Sequence, residues 1–310
     1  MRAHRSGRNT AVLLLLVASI LWGTTGTAAA QATGVSPLAI AAVSLGVGGL
    51  LQALVGVRAI RRARPVLIRE RRILMVGGVA VFCYPLAFYS AMSLGGVTLG
   101  TVISLGTAPL AAGLLERMVD GTRLTGRWYL AAALGIGGST LLGIARAEGG
   151  GGRAVLASCL LGLLAGASYA VYSWASGRLM FAGAPRAASM GSVFGLGGLL
   201  LLPVLLVTGA PLLGSAQNLA VAAYLALIPM FLGYLLFGKA LTKVKASTAT
   251  TVTLSEPAVA AALAMGLLGE RLGIAGWLGL GLIAAALAVL LLPESRERSV
   301  NRVPEQVAAQ

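Results

Sequence analysis

One carboxylate lies inside a long apolar stretch of this sequence. Glu256 is near the middle of residues 246–268, which otherwise hold small, apolar and hydroxylic side chains. If that stretch crosses a bilayer, a charged group at its centre costs on the order of 2.5–3.5 kcal/mol, so it needs a reason to be there. Two interpretations are open: a cavity carboxylate that exchanges a proton or binds a substrate ammonium group, or a structural group that hydrogen-bonds backbone freed beside Pro257.

Two prolines each follow a series of small hydroxylic residues. A proline in a helix removes a backbone hydrogen bond, which leaves a carbonyl available to a ligand or to water. Paired helix breaks at Pro109 and Pro257 therefore predict a binding site, although small polar residues also serve as packing contacts between membrane helices. The hydroxylic residues are Thr98, Thr101, Ser104 and Thr107 in the first series, and Ser247, Thr248, Thr250, Thr251, Thr253 and Ser255 in the second.

Aromatic residues are the third candidate group. Trp22 lies near the middle of the apolar residues 10–30, so a place at the membrane interface does not explain it, and we interpret it as a cavity wall. Tyrosine hydroxyls at depth need partners, which are water or substrate in one interpretation and a neighbouring helix in the other. The predicted cavity residues are Trp22, Tyr84, Tyr89, Ser104, Pro109, Tyr169, Tyr234, Thr251, Ser255 and Glu256. In contrast, Trp128, Trp174 and Trp277 lie near segment ends, which is typical of an interfacial belt.

The sequence offers little for catalysis or cofactor binding. Its single histidine is His4, in a basic N-terminal segment, and Cys83 and Cys159 both lie in apolar runs. Neither a metal site nor a nucleophile with its base can be built from these residues. No GxxxxGK[ST] motif for nucleotide binding occurs, so we predict no enzyme activity and no cofactor, and any transport must use gradients.

The composition places these residues in a membrane. Of 310 residues, 57% are hydrophobic and 11% charged, against about 25% charged in a soluble domain. The net charge of +15 does not indicate nucleic acid, because Lys and Arg fall between the apolar segments. Ten segments approach the roughly 20 residues that cross a bilayer as a helix. They are residues 10–30, 38–57, 73–93, 97–115, 128–145, 155–174, 189–207, 219–237, 246–268 and 274–292.

Charge between the segments indicates their orientation. With a cytoplasmic N-terminus, 21 of the 24 basic residues lie on the cytoplasmic side, which supports ten helices with both termini inside. An alternative is that residues 2–32 are a cleaved signal peptide, which would leave nine helices. Lys239, next to the eighth segment, either holds its loop in the cytoplasm or reaches an anionic substrate. We expect Glu116 and Asp120 to pair with the nearby Arg117 and Arg123.

Internal similarity suggests two repeats. A shift of 148 residues aligns Gly121–Leu124 with Gly269–Leu272, and the two prolines with each other. Two repeats of five helices each must have opposite orientations, the inverted-topology arrangement of many secondary transporters.

The predicted division of the chain follows from this alignment. Residues 1–148 form the first repeat and residues 153–292 the second, joined by the glycine-rich stretch 148–153. Residues 293–310 are predicted to be a cytoplasmic tail without fixed structure.

Four short motifs resemble the EamA family of the drug/metabolite transporter superfamily. They are Leu21–Thr24, Gly106–Pro109, Leu254–Pro257 and Leu267–Leu272. The resemblance implies a ten-helix carrier of the inner membrane whose first, third, fourth, sixth, eighth and ninth helices surround a central cavity. Many members export amino acids or related metabolites. In the first repeat Thr122 stands where the family often has Glu.

The sequence as a whole therefore predicts an all-α secondary transporter that exports amino acids or related metabolites by alternating access, with Glu256 as the proton-coupling candidate. The alternatives are efflux of lipophilic cations, for which Glu256 and aromatic walls serve equally well, and a facilitative channel. The expected partners are a small-molecule substrate and the lipid bilayer, without nucleic acid. The sequence leaves homodimerisation open.

Overall fold

The computed structural model describes residues 2–121, 126–147, 152–244, 246–253, 255–269 and 273–291, and within these residues every regular element is a helix. We number thirteen helices in chain order. They are α1 (Arg2–Gly23), α2 (Thr25–Ala29), α3 (Pro37–Arg62), α4 (Arg64–Arg69), α5 (Arg71–Gly95), α6 (Val97–Asp120), α7 (Gly126–Ala147), α8 (Gly152–Phe181), α9 (Arg186–Thr208), α10 (Ala216–Leu241), α11 (Ala246–Val252), α12 (Ser255–Leu267) and α13 (Ile274–Leu291). A short 3-10 helix, Ala210–Leu213, lies between α9 and α10.

Seven helical stretches among the described residues are long and apolar enough to cross a membrane. All ten predicted segments fall on helices, the first on α1 and α2 and the ninth on α11 and α12. The count of ten membrane spans stays a prediction. Large apolar side chains such as Leu206 (83% exposed) and Ile274 (84%) cover the outside of the bundle, as expected where the solvent is lipid.

Local signals set several helix boundaries. The Ser36 hydroxyl accepts a hydrogen bond from the Ala39 amide, and Pro37 occupies the first helical position of α3. A single residue, Gly96 with φ of +86°, joins α5 to α6. Because L side chains rarely adopt this conformation, a glycine there lets two long helices meet without a loop.

Two of the long helices contain π-helical stretches, Ala42–Val47 in α3 and Ala226–Gly233 in α10. Such stretches change the register of a helix and are frequent at functional sites. They were not predicted from the sequence. Prolines inside continuous helices, Pro85 in α5 and Pro203 in α9, do not interrupt them.

The helices pack in pairs that join the two halves of the chain. The second predicted segment packs on the seventh (α3 on α9), the fifth on the tenth (α7 on α13), and the fourth on the ninth (α6 on α11 and α12). Glycines permit the close approach: an alanine Cβ at Gly166 of α8 would lie 2.5 Å from the Ser104 carbonyl oxygen of α6.

Some predictions fall on residues outside the described part of the chain. These are the tail, most of the glycine-rich stretch between the repeats, and the Glu270-Arg271-Leu272 motif. The side chains of Thr251 and Pro257 also lie outside it, although their backbone belongs to α11 and α12.

Candidate functional site

The aromatic residues predicted to line a cavity come together at the centre of the bundle. The Trp22 ring lies 4.6 Å from that of Tyr234 and 6.3 Å from that of Tyr169, measured between ring centroids. Tyr84 joins them from α5, with its ring 5.7 Å from that of Tyr169. All four side chains are buried. We call this group, with its further members below, the aromatic cluster.

Trp22 is held in place by the backbone of another helix. Its indole nitrogen donates a hydrogen bond to the Pro229 carbonyl of α10, with an N···O distance of 2.8 Å. Pro229 lies in the π-helical stretch of α10. Gly233 follows one turn later, where an added Cβ would lie 2.5 Å from the same indole nitrogen. The irregular helix and the glycine together make room for the indole and give it a partner.

The tyrosine hydroxyls in the aromatic cluster are bonded to other hydroxyls. Tyr172 and Tyr234 are linked oxygen to oxygen at 2.6 Å. The Tyr169 hydroxyl lies 2.9 Å from Thr253 Oγ1, and the Thr253 hydroxyl in turn donates to the Thr250 carbonyl at 3.1 Å. In this conformation neighbouring helices supply partners for these three tyrosines, which agrees with the interhelical interpretation.

Glu256 lies beside the aromatic cluster and is 2% exposed. Its Oε2 atom has no hydrogen-bond partner among the described residues. The carboxylate is close enough to Tyr84, Tyr169 and Tyr234 to interact electrostatically with them. It occupies the first turn of α12, where backbone N–H groups favour a negative charge. A buried oxygen without a partner costs free energy, so the site is poised to accept a proton, a cation or a donor group.

The two predicted helix breaks differ. In the ninth predicted segment α11 ends at Val252 and α12 begins at Ser255, so the interruption lies immediately before Glu256, and Pro257 belongs to the first turn of α12. Pro109, in contrast, lies inside α6, which runs without interruption from Val97 to Asp120. Pro109 cannot donate a hydrogen bond to the Leu105 carbonyl four residues earlier, yet the helix continues through it.

Three further predicted residues lie apart from the ring contacts around Trp22. Ser104 is buried at the contact between α6 and α8, and its hydroxyl donates to the Gly100 carbonyl within its own helix. The Ser255 hydroxyl caps the preceding turn by donating to the Val252 carbonyl at 3.3 Å. Tyr89 is buried and contacts the aromatic cluster through Phe88, with ring centroids 5.5 Å apart.

The structure adds residues that were not among the predicted cavity residues. Tyr172, Phe194 and Phe237 are fully buried in the aromatic cluster, and the Phe194 ring lies 4.5 Å from that of Tyr234. Tyr169 and Tyr172 are three residues apart on one helix, a spacing that places both on the same face and could have indicated Tyr172. No comparable signal marked the Pro229 carbonyl, whose partner is 207 residues away in sequence.

A second feature is a cavity of about 690 Å³ at one end of the bundle. An ion pair crosses it, because Arg178 Nη1 of α8 lies 3.2 Å from Asp120 Oδ1 of α6. The Trp174 indole donates to the other Asp120 oxygen at 3.2 Å, so this tryptophan is more than an interfacial side chain. Asp120 therefore has partners on α8, which the expected pairing with its sequence neighbours did not include. Lys239 is exposed in the last turn of α10, and its two predicted roles stay predictions.

Comparison with known proteins identifies the family. The model of the EamA-like transporter family matches this chain twice, at residues 9–144 and 156–292. The uncharacterized transporter YwfM of Bacillus subtilis (strain 168) is 33% identical over 292 residues, which cover 93% of this chain and 96% of that relative. A solved crystal structure of another protein, 20% identical, shares the fold with a TM-score of 0.67 over 91% of this chain and 96% of its own.

A buried carboxylate beside an aromatic cluster, seven helices that can cross a membrane, and two family matches covering most of the sequence lead to one conclusion. The chain belongs to the EamA-like transporter family and is a multi-pass membrane transport protein.

Proposed function

We propose that this protein is a secondary carrier that exports amino acids or related small metabolites by alternating access, with proton exchange at Glu256. In this proposal ten helices form two inverted repeats, residues 1–148 and 153–292, in the cell membrane with both termini in the cytoplasm. The observation that carries it is the buried Glu256 carboxylate, which lies at a helix break beside the aromatic cluster and has one oxygen with no hydrogen-bond partner in the described part of the chain.

The packing of the helices supports inverted repeats. When two repeats are related by a two-fold axis, a helix near the axis contacts the equivalent helix of the other repeat. Two such pairs are in contact here, α3 with α9 and α7 with α13. The other contacts come in matching pairs. The third segment packs on the sixth (α5 on α8), and the eighth packs on the first (α10 on α1). The double match of one family model is a further argument for two related halves.

The two ends of the bundle differ in the way that alternating access requires. At one end the first and second halves are joined by hydrogen bonds: Tyr224 and Thr24 through their hydroxyls at 2.7 Å, Asn218 with the Thr33 backbone at 3.0 and 3.1 Å, and Gln217 with the Gln31 carbonyl at 2.7 Å. The opposite end holds the 690 Å³ cavity, where Asp120 of the first half contacts Trp174 and Arg178 of the second. In the proposed topology the open end is cytoplasmic.

The charge of Glu256 can couple substrate binding to the change between the two conformations, each open at one end of the bundle. An ionised carboxylate is costly in a low-dielectric centre, so it is stabilised either by a proton or by a cationic group of the substrate. The proton and the cationic group of the substrate compete for the two oxygens of the Glu256 carboxylate. Arrival of a substrate ammonium group then displaces the proton, and release of the substrate on the far side requires that a proton return. The neighbouring aromatic rings add favourable contacts to an ammonium group.

Efflux of lipophilic cations is the second candidate, because the same carboxylate and rings would bind such a cation. Proteoliposome transport separates the two. We would measure uptake of radiolabelled amino acids and of one lipophilic cation, with and without an imposed pH gradient, in wild type and in Glu256→Gln. Glu70→Gln is the matched control, since Glu70 is a partly exposed carboxylate whose partner is the adjacent Arg69.

The proposal expects that wild type moves at least one amino acid, that a pH gradient accelerates this flux, and that Glu256→Gln loses the pH-driven part while Glu70→Gln keeps it. Equal, pH-independent flux in wild type and Glu256→Gln would make the carboxylate structural and the protein a facilitator. Movement of the lipophilic cation alone would replace the metabolite proposal with cation efflux.

A further inference from the structure

The cavity at the open end of the bundle, which we call the vestibule, is built from helix ends of both halves of the chain. Its walls are the last turns of α6, α8 and α10, and its rim includes the starts of α9 and α11. With about 690 Å³ of space it is large enough for a small metabolite.

Five charged residues in the described part of the chain line the vestibule: the acidic Glu116 and Asp120, and the basic Arg178, Arg186 and Lys243, which leave a net positive charge. The Asp120 carboxylate is already engaged by Arg178 and by the Trp174 indole. Arg186, by contrast, has no carboxylate within 4 Å among the described residues, and its only hydrogen bond there is a long one, 3.4 Å, to the Leu235 carbonyl. Lys243 is exposed on the same wall.

The floor of the vestibule adjoins the aromatic cluster. Ala246 lines the vestibule, and Thr250, whose carbonyl bonds Thr253, lies one helical turn deeper on the same helix. Similarly, Leu241 lines the vestibule and Phe237 of the aromatic cluster is one turn below it. Along these two helices the vestibule is therefore about one turn, roughly 5 Å of helical rise, from Phe237 and Thr250.

We propose that the vestibule is the entrance site for a substrate that carries a carboxylate, and that Arg186 is its main anion-binding residue, assisted by Lys243. This rests on the proposed function and narrows its substrate class to small zwitterions and carboxylates, against lipophilic cations. Arginine suits this role, because its guanidinium presents paired donors to the two oxygens of a carboxylate.

Arg186 and Glu256 act one after the other on the same substrate. Ala246 lines the vestibule, and α11 alone extends roughly 9 Å from there before the helix that carries Glu256 begins, whereas the two charged groups of an α-amino acid are attached to one carbon. The carboxylate of the substrate is therefore selected first, at the vestibule. Its ammonium group meets Glu256 only after the aromatic cluster opens.

The test compares matched substrates that differ by one carboxylate. Leucine, methionine and threonine are each assayed beside the amine formed by their decarboxylation, with the vestibule facing the substrate solution. Arg186→Gln is expected to raise the KM of the transported amino acids about tenfold, with unchanged KM for the amines, because one charged hydrogen-bonding group is lost. Arg186→Lys should restore part of the affinity. Arg72→Gln, an exposed arginine outside the vestibule, is the control.

A second measurement does not depend on transport. Quenching of Trp174 fluorescence, obtained by subtracting the signal of Trp174→Phe, is compared for the anion iodide and the neutral acrylamide. Arg186→Gln should weaken quenching by iodide and leave quenching by acrylamide unchanged. Unchanged iodide quenching together with an unchanged KM overturns the entrance site.

The two proposals fail in different ways. If wild type moves no amino acid, the export function is wrong, and the iodide result still decides whether the vestibule attracts anions. If wild type moves amino acids and Arg186→Gln changes their KM no more than Arg72→Gln does, only the entrance site is wrong. An equal rise in KM for amino acids and amines also contradicts it.

Discussion

Replacement of Gly49 by alanine tests a close backbone contact between the two halves of the chain. Gly49 of α3 faces the backbone of α9, and a Cβ at this position would lie 2.3 Å from the Phe194 carbonyl oxygen and 3.0 Å from its carbonyl carbon. A carbon normally approaches a carbonyl oxygen to about 3.3 Å, so the helices must separate by about 1 Å. Neither obstacle is the flexible end of a side chain, so the backbone itself has to move.

Two opposing contributions set the magnitude. Overpacking of a close interface costs about 1–3 kcal/mol, while an alanine in a helix interior is favoured over glycine by about 0.5–1 kcal/mol. The net expectation for Gly49→Ala is a loss of about 1–2 kcal/mol in the free energy of unfolding. Gly137→Ala on α7 is the matched control, because that glycine is exposed and no described atom lies within 4 Å of the added Cβ. It should be neutral or slightly stabilising.

The assay is reversible unfolding by sodium dodecyl sulfate in mixed micelles, followed by circular dichroism, with the free energy extrapolated to zero denaturant. The reasoning predicts a difference of about 2 kcal/mol between the two variants. If Gly49→Ala is as stable as Gly137→Ala, the close approach of α3 to α9 is wrong. The contact between the second and seventh segments would then no longer support the inverted repeats.

Two further predictions concern hydrogen bonds in the aromatic cluster. Trp22→Phe keeps a ring but removes the donor to the Pro229 carbonyl, and should lower the free energy of unfolding by about 1 kcal/mol in the same assay, whereas stability equal to wild type would mean that the bond contributes nothing. A double-mutant cycle of Tyr172→Phe and Tyr234→Phe should give a coupling energy between about 0.6 and 1.7 kcal/mol for their 2.6 Å contact. A coupling near zero would contradict that contact.

A residue that conflicts with its surroundings can be recognised in a single sequence. A carboxylate at mid-span and a tryptophan far from the interface are both unfavourable without partners, so Glu256 and Trp22 stood out from one sequence alone. Both side chains are buried, and both lie near Tyr234: its ring is 4.6 Å from that of Trp22, and it interacts electrostatically with Glu256. Their identification needed no knowledge of how the helices pack.

Features that depend on contacts between distant segments could not be predicted in this way. Phe194 is one apolar residue among many on α9, and only its packing against Tyr234 makes it part of the aromatic cluster. The π-helical stretch around Pro229 changes helix register without a distinctive composition, and its carbonyl matters because Trp22 reaches it. Pro109 differs from the expected helix break, because a proline removes one backbone hydrogen bond and α6 nevertheless continues from Val97 to Asp120.

The energies of the links between the halves are small enough for a substrate to change their balance. At the closed end, four neutral hydrogen bonds join residues 24–33 to residues 217–224, and at about 0.6 kcal/mol each they sum to about 2 kcal/mol. At the vestibule end the half-exposed Asp120–Arg178 pair contributes about 0–1 kcal/mol, and the hydrogen bond from the Trp174 indole to Asp120 adds about 0.6 kcal/mol. A substrate shifts this balance only by the difference in its affinity for the two states, and a tenfold difference supplies about 1.4 kcal/mol, which is comparable with the difference between the two sets of links. A carrier of weakly bound metabolites therefore does not need stronger contacts between its two halves. Stronger contacts would hold the protein in a single conformation.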